Sequence, residues 1–529
     1  MQLAIIHYHL NRGGVSQVIL NHLKSLAASN SGLEIDRVAI FYGGRRAEWP
    51  EPLLDEPPPF ELILIPVSDL EYDMFSETGV KDLTTSMRSL LATHGFHHDD
   101  TILHIHNHAL GKNAALPDTI VELVKDGYRV LLQVHDFIED FRPENYRHLD
   151  SVLACHDSDE LSARLYPQSR GIHYAVLNRR DHHVFMKAGV ASEQLHWLPN
   201  SVANFVQFPD RREARQALGK KLEISDQQIL MTYPVRGIRR KNLGEMLLLS
   251  ALDPRNSVYA VTLSPLNPVE AESFAHWDRL SGELQLPCRF DTGGKAGLDY
   301  STIVAATDCM LTTSVAEGFG MVFLEAWLAG CPLAGRNLPE ITADFSAAGI
   351  GLEMLYNELR IPLLMVDQKK VRKRLIDTYH LVCASYNQPP IEPVSLDRQL
   401  DQLMEEGCID FAFLDGALQE KVIRAVAGST RLTDNVLDAN SNLNQTFQID
   451  PDRTAGMIDK YATVVRNHFS VDSAGKQLKQ IYERVYDSPG SGNIEPLPQG
   501  QAILNSFLNL RRLHPIRLET WSRSKSSNN

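Results

Sequence analysis

Over its first two hundred residues the chain alternates short aliphatic and β-branched runs with stretches whose apolar positions recur every three to four residues. The runs are QLAIIH, RVAIFY, ELILIP, TILHIH, RVLLQVH, SVLAC and HYAVL; VSQVILNHLKSLAA and KDLTTSMRSLLATHG carry the helical period between them. Strands that read apolar throughout are buried on both faces, as in a parallel sheet covered by helices. The pattern predicts a doubly wound α/β domain over residues 1–205.

A second series follows a join rich in Pro and Asn near residues 200–210, expected to act as a hinge. After the polar helix start DRREARQALGKKL come QILMTY, KNLGEMLLLSAL, SVYAVTL, PVEAESFAHWDRLSGEL, DYSTIVAA, DCMLTT, FGMVFLEAWLAG and CPLAG. These predict a second α/β domain over 206–455, within which 353–448 loses the alternation and reads as a mostly helical insertion. Residues 456–529 hold one amphipathic helix, SAGKQLKQIYERVY, a short helix near QAILNSFLNL, and a polar tail, SRSKSSNN, expected to be disordered.

Composition adds exclusions. With 52 basic and 66 acidic residues among 529, the formal net charge is -14, which disfavours nonspecific nucleic-acid binding. The six cysteines show no CxxC spacing and fit reduced thiols in a cytoplasmic protein better than a disulfide framework or a zinc knuckle. No apolar run approaches the ~18 residues that span a bilayer. QKKVRKR could touch an anionic membrane, but a solvated helix face explains it as simply.

Four stretches could carry chemistry. In EGFGMVFLEAWLAG a helix is expected to start just after Gly318 and stop at Gly330, leaving the amides of Gly318, Phe319, Gly320 and Met321 at a helix N-terminus that favours an anion. Glu317 sits at its mouth; Glu325 lies in an otherwise apolar turn, where a carboxylate calls for donors such as a ribose diol. In YPVRGIRRKNLGEM, Arg236 and Lys241 stand five apart after a strand and could reach one anion. Gly13 and Gly14 in the first crossover allow backbone close to a phosphate, although the sequence is not GxGxxG.

The fourth stretch is TILHIHNHAL. His104, His106 and His108 would share one face if the strand ran on, which raises a metal reading; the further ligands of a binuclear hydrolase do not follow at recognisable spacing. His135 ends the strand RVLLQVH before Asp136.

Arg236 and Lys241, then EGFGMVFLEAWLAG with Glu317 and Glu325, then LPEI at 338–341, resemble the donor-binding half of the retaining GT-B glycosyltransferases, the glycogen-synthase-like and glycosyltransferase family 4 group. GGVSQVI, VHD at 134–136 and LPNSV resemble its acceptor half. The resemblance covers about residues 1–350, with an echo in FSVDSAGKQLKQIYERVY; Val235 stands where the family usually has Gly, and GRNLPE lacks the paired glycines often seen before PE.

This likeness implies a GT-B architecture: two Rossmann-like domains facing a central cleft, 1–205 on the acceptor side and 206–455 on the donor side, with C-terminal helices crossing back to the first. It implies a metal-independent retaining hexosyltransferase with no cofactor, using a nucleotide-diphosphate sugar of UDP-glucose or GDP-mannose type. Glu317 and the amides of residues 318–322, Val322 included, would hold the donor sugar, Glu325 the ribose, Arg236 and Lys241 the departing diphosphate. Gly13 and Gly14 would approach that diphosphate, and His135 the sugar near its reacting carbon.

The acceptor, whether small molecule, glycan or lipid-linked, would meet loops 42–61 and 137–148; an oligomer is left open. A catalytically silent GT-B module that binds a nucleotide sugar or a partner is the alternative, and a metal-dependent hydrolase a remote third.

Overall fold

A computed structural model describes residues 1–28, 34–50, 54, 57–74, 78–203, 208–295, 297–449, 451–490 and 492–518. The tail at 522–529, the centre of the hinge segment and part of loop 42–61 lie outside these residues. The chain divides into two compact units. The first comprises Met1–Ala203, Val382–Pro389 and Arg466–Asn509; the second comprises Asn204–Leu381, Pro390–Val465 and the chain from Leu510.

The first unit is built on seven strands: β1 (Gln2–His7), β2 (Arg37–Tyr42), β3 (Glu61–Pro66), β4 (Thr101–His106), β5 (Arg129–Val134), β6 (Ile172–Val176) and β7 (Leu195–Trp197). They lie in the order β3-β2-β1-β4-β5-β6-β7, every pair parallel, with Ile5 opposite both Ile40 and His104. Chain order reverses between β1 and β4, and in such sheets ligands collect beyond the carboxyl ends at that switch point.

Leu3, Ile5, Val38, Ile40 and Leu131 from the strands pack with Ile19 and Leu23 of helix Gly14–Ala28, and with Leu478, Ile481, Tyr482 and Val485 of helix Val471–Asp487. That C-terminal helix begins at Ser470, whose hydroxyl accepts the Ser473 amide. Its buried positions recur at three and four, so one apolar stripe closes the first core.

SVLAC is not a strand. Residues 151–153 end helix Pro143–Leu153, and Ala154 takes a left-handed cap at φ 51°. Five residues, four of them apolar, are too few for periodicity to separate helix from strand.

The second unit holds β8 (Ile229–Arg236), β9 (Ser257–Leu263), β10 (Cys288–Phe290), β11 (Cys309–Thr312), β12 (Leu333–Arg336) and β13 (Leu355–Tyr356). Their order is β10-β9-β8-β11-β12-β13, again parallel, with the switch point between β8 and β11. One of its cores joins Leu230, Val258 and Ala260 to Ala214, Leu218 and Ile303 of the flanking helices.

The atypical stretch is mainly helical and adds an antiparallel pair, β14 (Arg360–Pro362) with β15 (Cys408–Asp410). It does not stay in one unit: Tyr386, of Val382–Pro389, packs edge-on to Tyr146 and receives the Arg142 amide on its hydroxyl at 2.7 Å. Leu510–Leu518 also departs from the expected C-terminal piece. It clusters with the second unit, where His514 Nδ1 lies 3.2 Å from the Ala412 carbonyl.

Candidate active site

The second sheet's switch point gathers the basic turn and the first glutamate. β8 runs out at Arg236, whose Nη1 donates to the Ser264 carbonyl at 2.9 Å. Gly237 follows, where an added Cβ would stand 2.4 Å from the Phe274 ring, and the chain then winds through a 3-10 turn at Arg239–Lys241. Two bonds stitch that turn to the exit of β11: the Val315 amide donates to the Arg240 carbonyl at 2.9 Å, and the Thr313 hydroxyl to the Lys241 carbonyl at 2.9 Å.

In this frame Lys241 Nζ hydrogen-bonds Glu317 Oε1, the Ser314 hydroxyl donates to the same oxygen at 2.5 Å, and Arg240 Nη1 lies 3.7 Å from Glu317 Oε2. Burial works to raise the Glu317 carboxyl, but the charges of Lys241 and then Arg240 outweigh it and hold it below its ordinary value. Burial likewise draws Lys241 downward, with Glu317 opposing. Each charge thus favours the ionised form of the other, against the burial of both. The arrangement holds a desolvated cation aimed by a carboxylate, which suits it to meeting an anion.

The turn after Glu317 departs from expectation. The helix starts at Val322 and ends at Leu328, one turn later than the sequence suggested. Gly318, Phe319 and Gly320 form an irregular lead-in and Met321 the N-cap. The cause is Gly320, at φ 81°, a left-handed conformation that breaks the helix before it. Gly330, at φ 70°, takes the left-handed position expected of it at the other end. Glu325 lies partly buried on this short helix, and desolvation alone pushes its carboxyl up to about 7.

In the first unit, helix Gly14–Ala28 starts directly after Gly13. An added Cβ at Gly14 would meet nothing within 4 Å, so open space lies over this helix start. His135 follows β5, one strand from the switch point. Its Nε2 lies 2.9 Å from His106 Nδ1, and its amide donates to Asn107 Oδ1 at 3.2 Å. Burial pushes its imidazole down to about 4, so it is neutral at pH 7.

β4 does not continue through the third histidine. It stops at His106, Asn107 turns the chain at φ 61°, and His108 instead bonds the Leu165 carbonyl through Nε2 at 2.7 Å. His104 and His106 remain on one face.

Sequence reasoning did not single out Arg240, Ser314 or a buried charge network beneath them. Arg336, at the end of β12, is bidentate to both Glu245 and Asp410 at 2.7–2.8 Å, and Glu245 also accepts from the Tyr356 hydroxyl at 2.7 Å. The Asn242 amide donates to Glu245 at 2.8 Å, and Gln419 Nε2 donates to Asn242 at 3.0 Å. Asp410 and Gln419 both come from the atypical stretch. It thus braces Asn242, which holds φ 48° directly after Lys241.

Within the same unit a cavity of about 590 Å³ runs from Glu317 past Arg336 to Arg360 and the segment at Arg511–Arg517. Its wall partly neutralises itself: Arg360 pairs with Glu406 and Arg512 with Glu340, both at 2.7 Å.

No family model matches the chain. Mannosylglucosyl-3-phosphoglycerate synthase from Petrotoga mobilis is 27% identical over 443 residues, which are 79% of this chain and 80% of that protein. Among solved structures, sucrose-phosphate synthase from Thermosynechococcus elongatus aligns at TM-score 0.54 and 14% identity, covering 92% of this chain and 99% of that one. HepE from Anabaena, solved with UDP and glucose, aligns at TM-score 0.51 and 12% identity over 91% and 99%.

Proposed function

We propose that this chain, a glycosyltransferase of GT-B architecture, moves a hexose from a nucleotide-diphosphate sugar to an acceptor hydroxyl with retention at the anomeric carbon. The observation that carries the reading is the contact of Lys241 with Glu317 between the exits of β8 and β11, with Arg236 at the end of β8. A solved neighbour that holds UDP and glucose supports a nucleotide-sugar donor. The name of the Petrotoga relative supports an acceptor that is itself an acidic glycoside.

In this reading the bond between C1 and the diphosphate oxygen breaks, and the nucleoside diphosphate leaves with the electron pair. The acceptor oxygen attacks C1 on the same face and passes its proton to the departing phosphate oxygen. Lys241 and Arg236 stabilise the charge that develops on the diphosphate; Glu317 aims Lys241 and accepts sugar hydroxyls. With Glu317, the amides at 318–322 hold the donor sugar, and Glu325 accepts the ribose diol. These groups supply the stabilisation themselves, so the transfer needs no metal.

Thermal-shift screening against UDP-, GDP- and ADP-sugars identifies the donor, since a ligand of the native state raises its melting temperature by mass action. Slow hydrolysis of that donor should vanish in Lys241→Ala. Glu325→Ala should mainly weaken donor binding, and Glu317→Ala should lower turnover at saturating donor. Full activity in both glutamate variants would sink the assignment. Binding without any turnover would favour the silent module.

A further inference from the structure

The histidines that the transfer chemistry leaves over lie together inside the first unit. His22 sits in the apolar stripe of helix Gly14–Ala28, between Val18, Ile19, Leu23 and Leu26, and is fully buried. Neither of its ring nitrogens has a hydrogen-bond partner among the described residues, and the same holds for Nε2 of buried His106. A neutral imidazole carries one N–H and one lone pair, so His22 leaves both a donor and an acceptor unmet in a packed interior. A leucine would fill that stripe without this cost. Its neighbours show that the helix accepts aliphatic residues there.

We propose that His22, His104 and His106 form a binding site for a transition-metal ion of the Zn(II) class, a structural site separate from the transfer chemistry. Each of the three offers one ligand nitrogen, and these nitrogens lie within 4.8 Å of one another. Small side-chain rotations bring that to the ~3.4 Å expected of two nitrogens ~2.1 Å from one tetrahedral ion. The rings already crowd one point: His104 and His106 have centroids 4.3 Å apart, and His22 is 5.7 Å from each.

The donor set selects the ion. Three imidazoles and no carboxylate suit Zn(II), Co(II), Ni(II) or copper, whereas Mg(II) and Ca(II) demand oxygen ligands. A second layer of bonds is also in place. His106 bonds His135 through Nδ1, at 2.9 Å, which leaves its unpartnered Nε2 as the ligand. His104 touches the Tyr482 hydroxyl at 2.8 Å and Gln133 Oε1 at 3.0 Å, and ligates by giving up one of these contacts. The ion would fasten helix Gly14–Ala28 to β4 from within. HxHxH is therefore half of the site; the third ligand comes from the helix, not from His108.

The test is direct metal analysis of tag-free protein produced in zinc-supplemented medium and desalted against a weak chelator. About one zinc per chain is expected, because three imidazoles with one further position complete a tetrahedral site. Its replacement by cobalt should give a visible d–d spectrum and paramagnetically shifted imidazole N–H signals from three histidines. His22→Phe and His22→Leu, which keep the site apolar, should lose the ion while retaining nucleotide binding in the second unit. Metal-free wild-type protein overturns the proposal, as does a cobalt form without shifted imidazole signals, or a folded His22 variant that keeps a full equivalent. The proposal stands or falls independently of the transferase reading, since none of these measurements depends on turnover.

Discussion

At the exits of β8 and β11 the buried polar groups are charged and paired: Lys241 with Glu317, Arg336 with Glu245 and Asp410. On β4 and just past β5 of the other sheet they are neutral imidazoles, with burial holding His104 down to about 3 and His135 down to about 4. The difference is one of price and of use. Charges taken out of water must be matched by opposite charges, and the matched set can then stabilise charge in a ligand. Imidazoles can be buried uncharged, at the cost of lone pairs and N–H groups that need partners.

The comparison breaks most sharply where one charge is removed. Arg336→Met leaves Glu245 and Asp410 facing each other without a cation, and should cost ~3–5 kcal/mol of stability, read as a lowered urea midpoint. The triple variant Arg336→Met, Glu245→Leu, Asp410→Leu should recover much of this, because the desolvated charges go together. If the single and triple variants are equally unstable, charge pairing is not what holds β12 to the atypical stretch. Lys241→Ala should have a smaller effect on stability and a large one on rate. Removing a preformed donor to a developing anion lowers kcat by roughly 10²–10³, and a fall of less than tenfold would remove Lys241 from the proposed chemistry.

The same contrast governs how much the sequence could reveal. Both sheets were legible because a parallel strand covered on both faces announces itself as an apolar run, as QLAIIH and SVYAVTL do. Short elements were not. Cys288–Phe290 is a three-residue strand with an arginine at its centre, and the β14–β15 pair has no alternating pattern long enough to read.

At the site, local chemistry was readable and remote pairing was not. A glycine turn beside Glu317 and a basic turn at 236–241 stood out in the sequence, and the structure brings Lys241 of that basic turn onto Glu317. Nothing near Glu245 shows that its partner is Arg336, 91 residues on, or that Asp410 joins them across 74 more. The delayed start of helix Val322–Leu328 follows from one left-handed glycine, Gly320, which the sequence reading had placed at the helix N-terminus as an amide donor. His22 did leave a trace: a histidine on the apolar stripe of an amphipathic helix, at i+4 from Val18.

Glu325 offers a way to sharpen the comparison, since no cation among the described residues pairs with its carboxyl. Its folded value is about 7 against an ordinary 4.5. The raised value means that the folded state holds the proton more tightly than the unfolded chain. This contribution to stability is complete below about 4.5 and is lost as pH rises through about 7. A ribose diol donates hydrogen bonds and so favours the ionised form. Nucleotide affinity should therefore rise about tenfold between roughly pH 6 and 8 as the carboxylate forms, while Glu325→Gln should flatten this part of the profile. Isothermal titration of the nucleoside diphosphate in buffers of different ionisation enthalpy should also show a proton released on binding near pH 6.5. A wild-type profile as flat as that of the glutamine variant would detach Glu325 from the ribose.

The smallest effect belongs to the neutral side. Tyr482, on helix Val471–Asp487, is fully buried and bonds His104 Nδ1 at 2.8 Å. Tyr482→Phe keeps the ring that packs beside Leu478 and Val485 and removes only the hydroxyl. No charge is stranded, so the loss should be about 0.5–1.5 kcal/mol, the ordinary net worth of one buried hydrogen bond. The matching change on the charged side, Tyr356→Phe, removes a hydroxyl that donates to Glu245, and a bond to a charged acceptor should cost about 1.5–3 kcal/mol. Urea titrations of the two variants side by side isolate the charge of the acceptor as the variable. Equal losses would mean that the charge of Glu245 adds nothing to the bond it accepts from Tyr356, its other donors being Arg336 and Asn242.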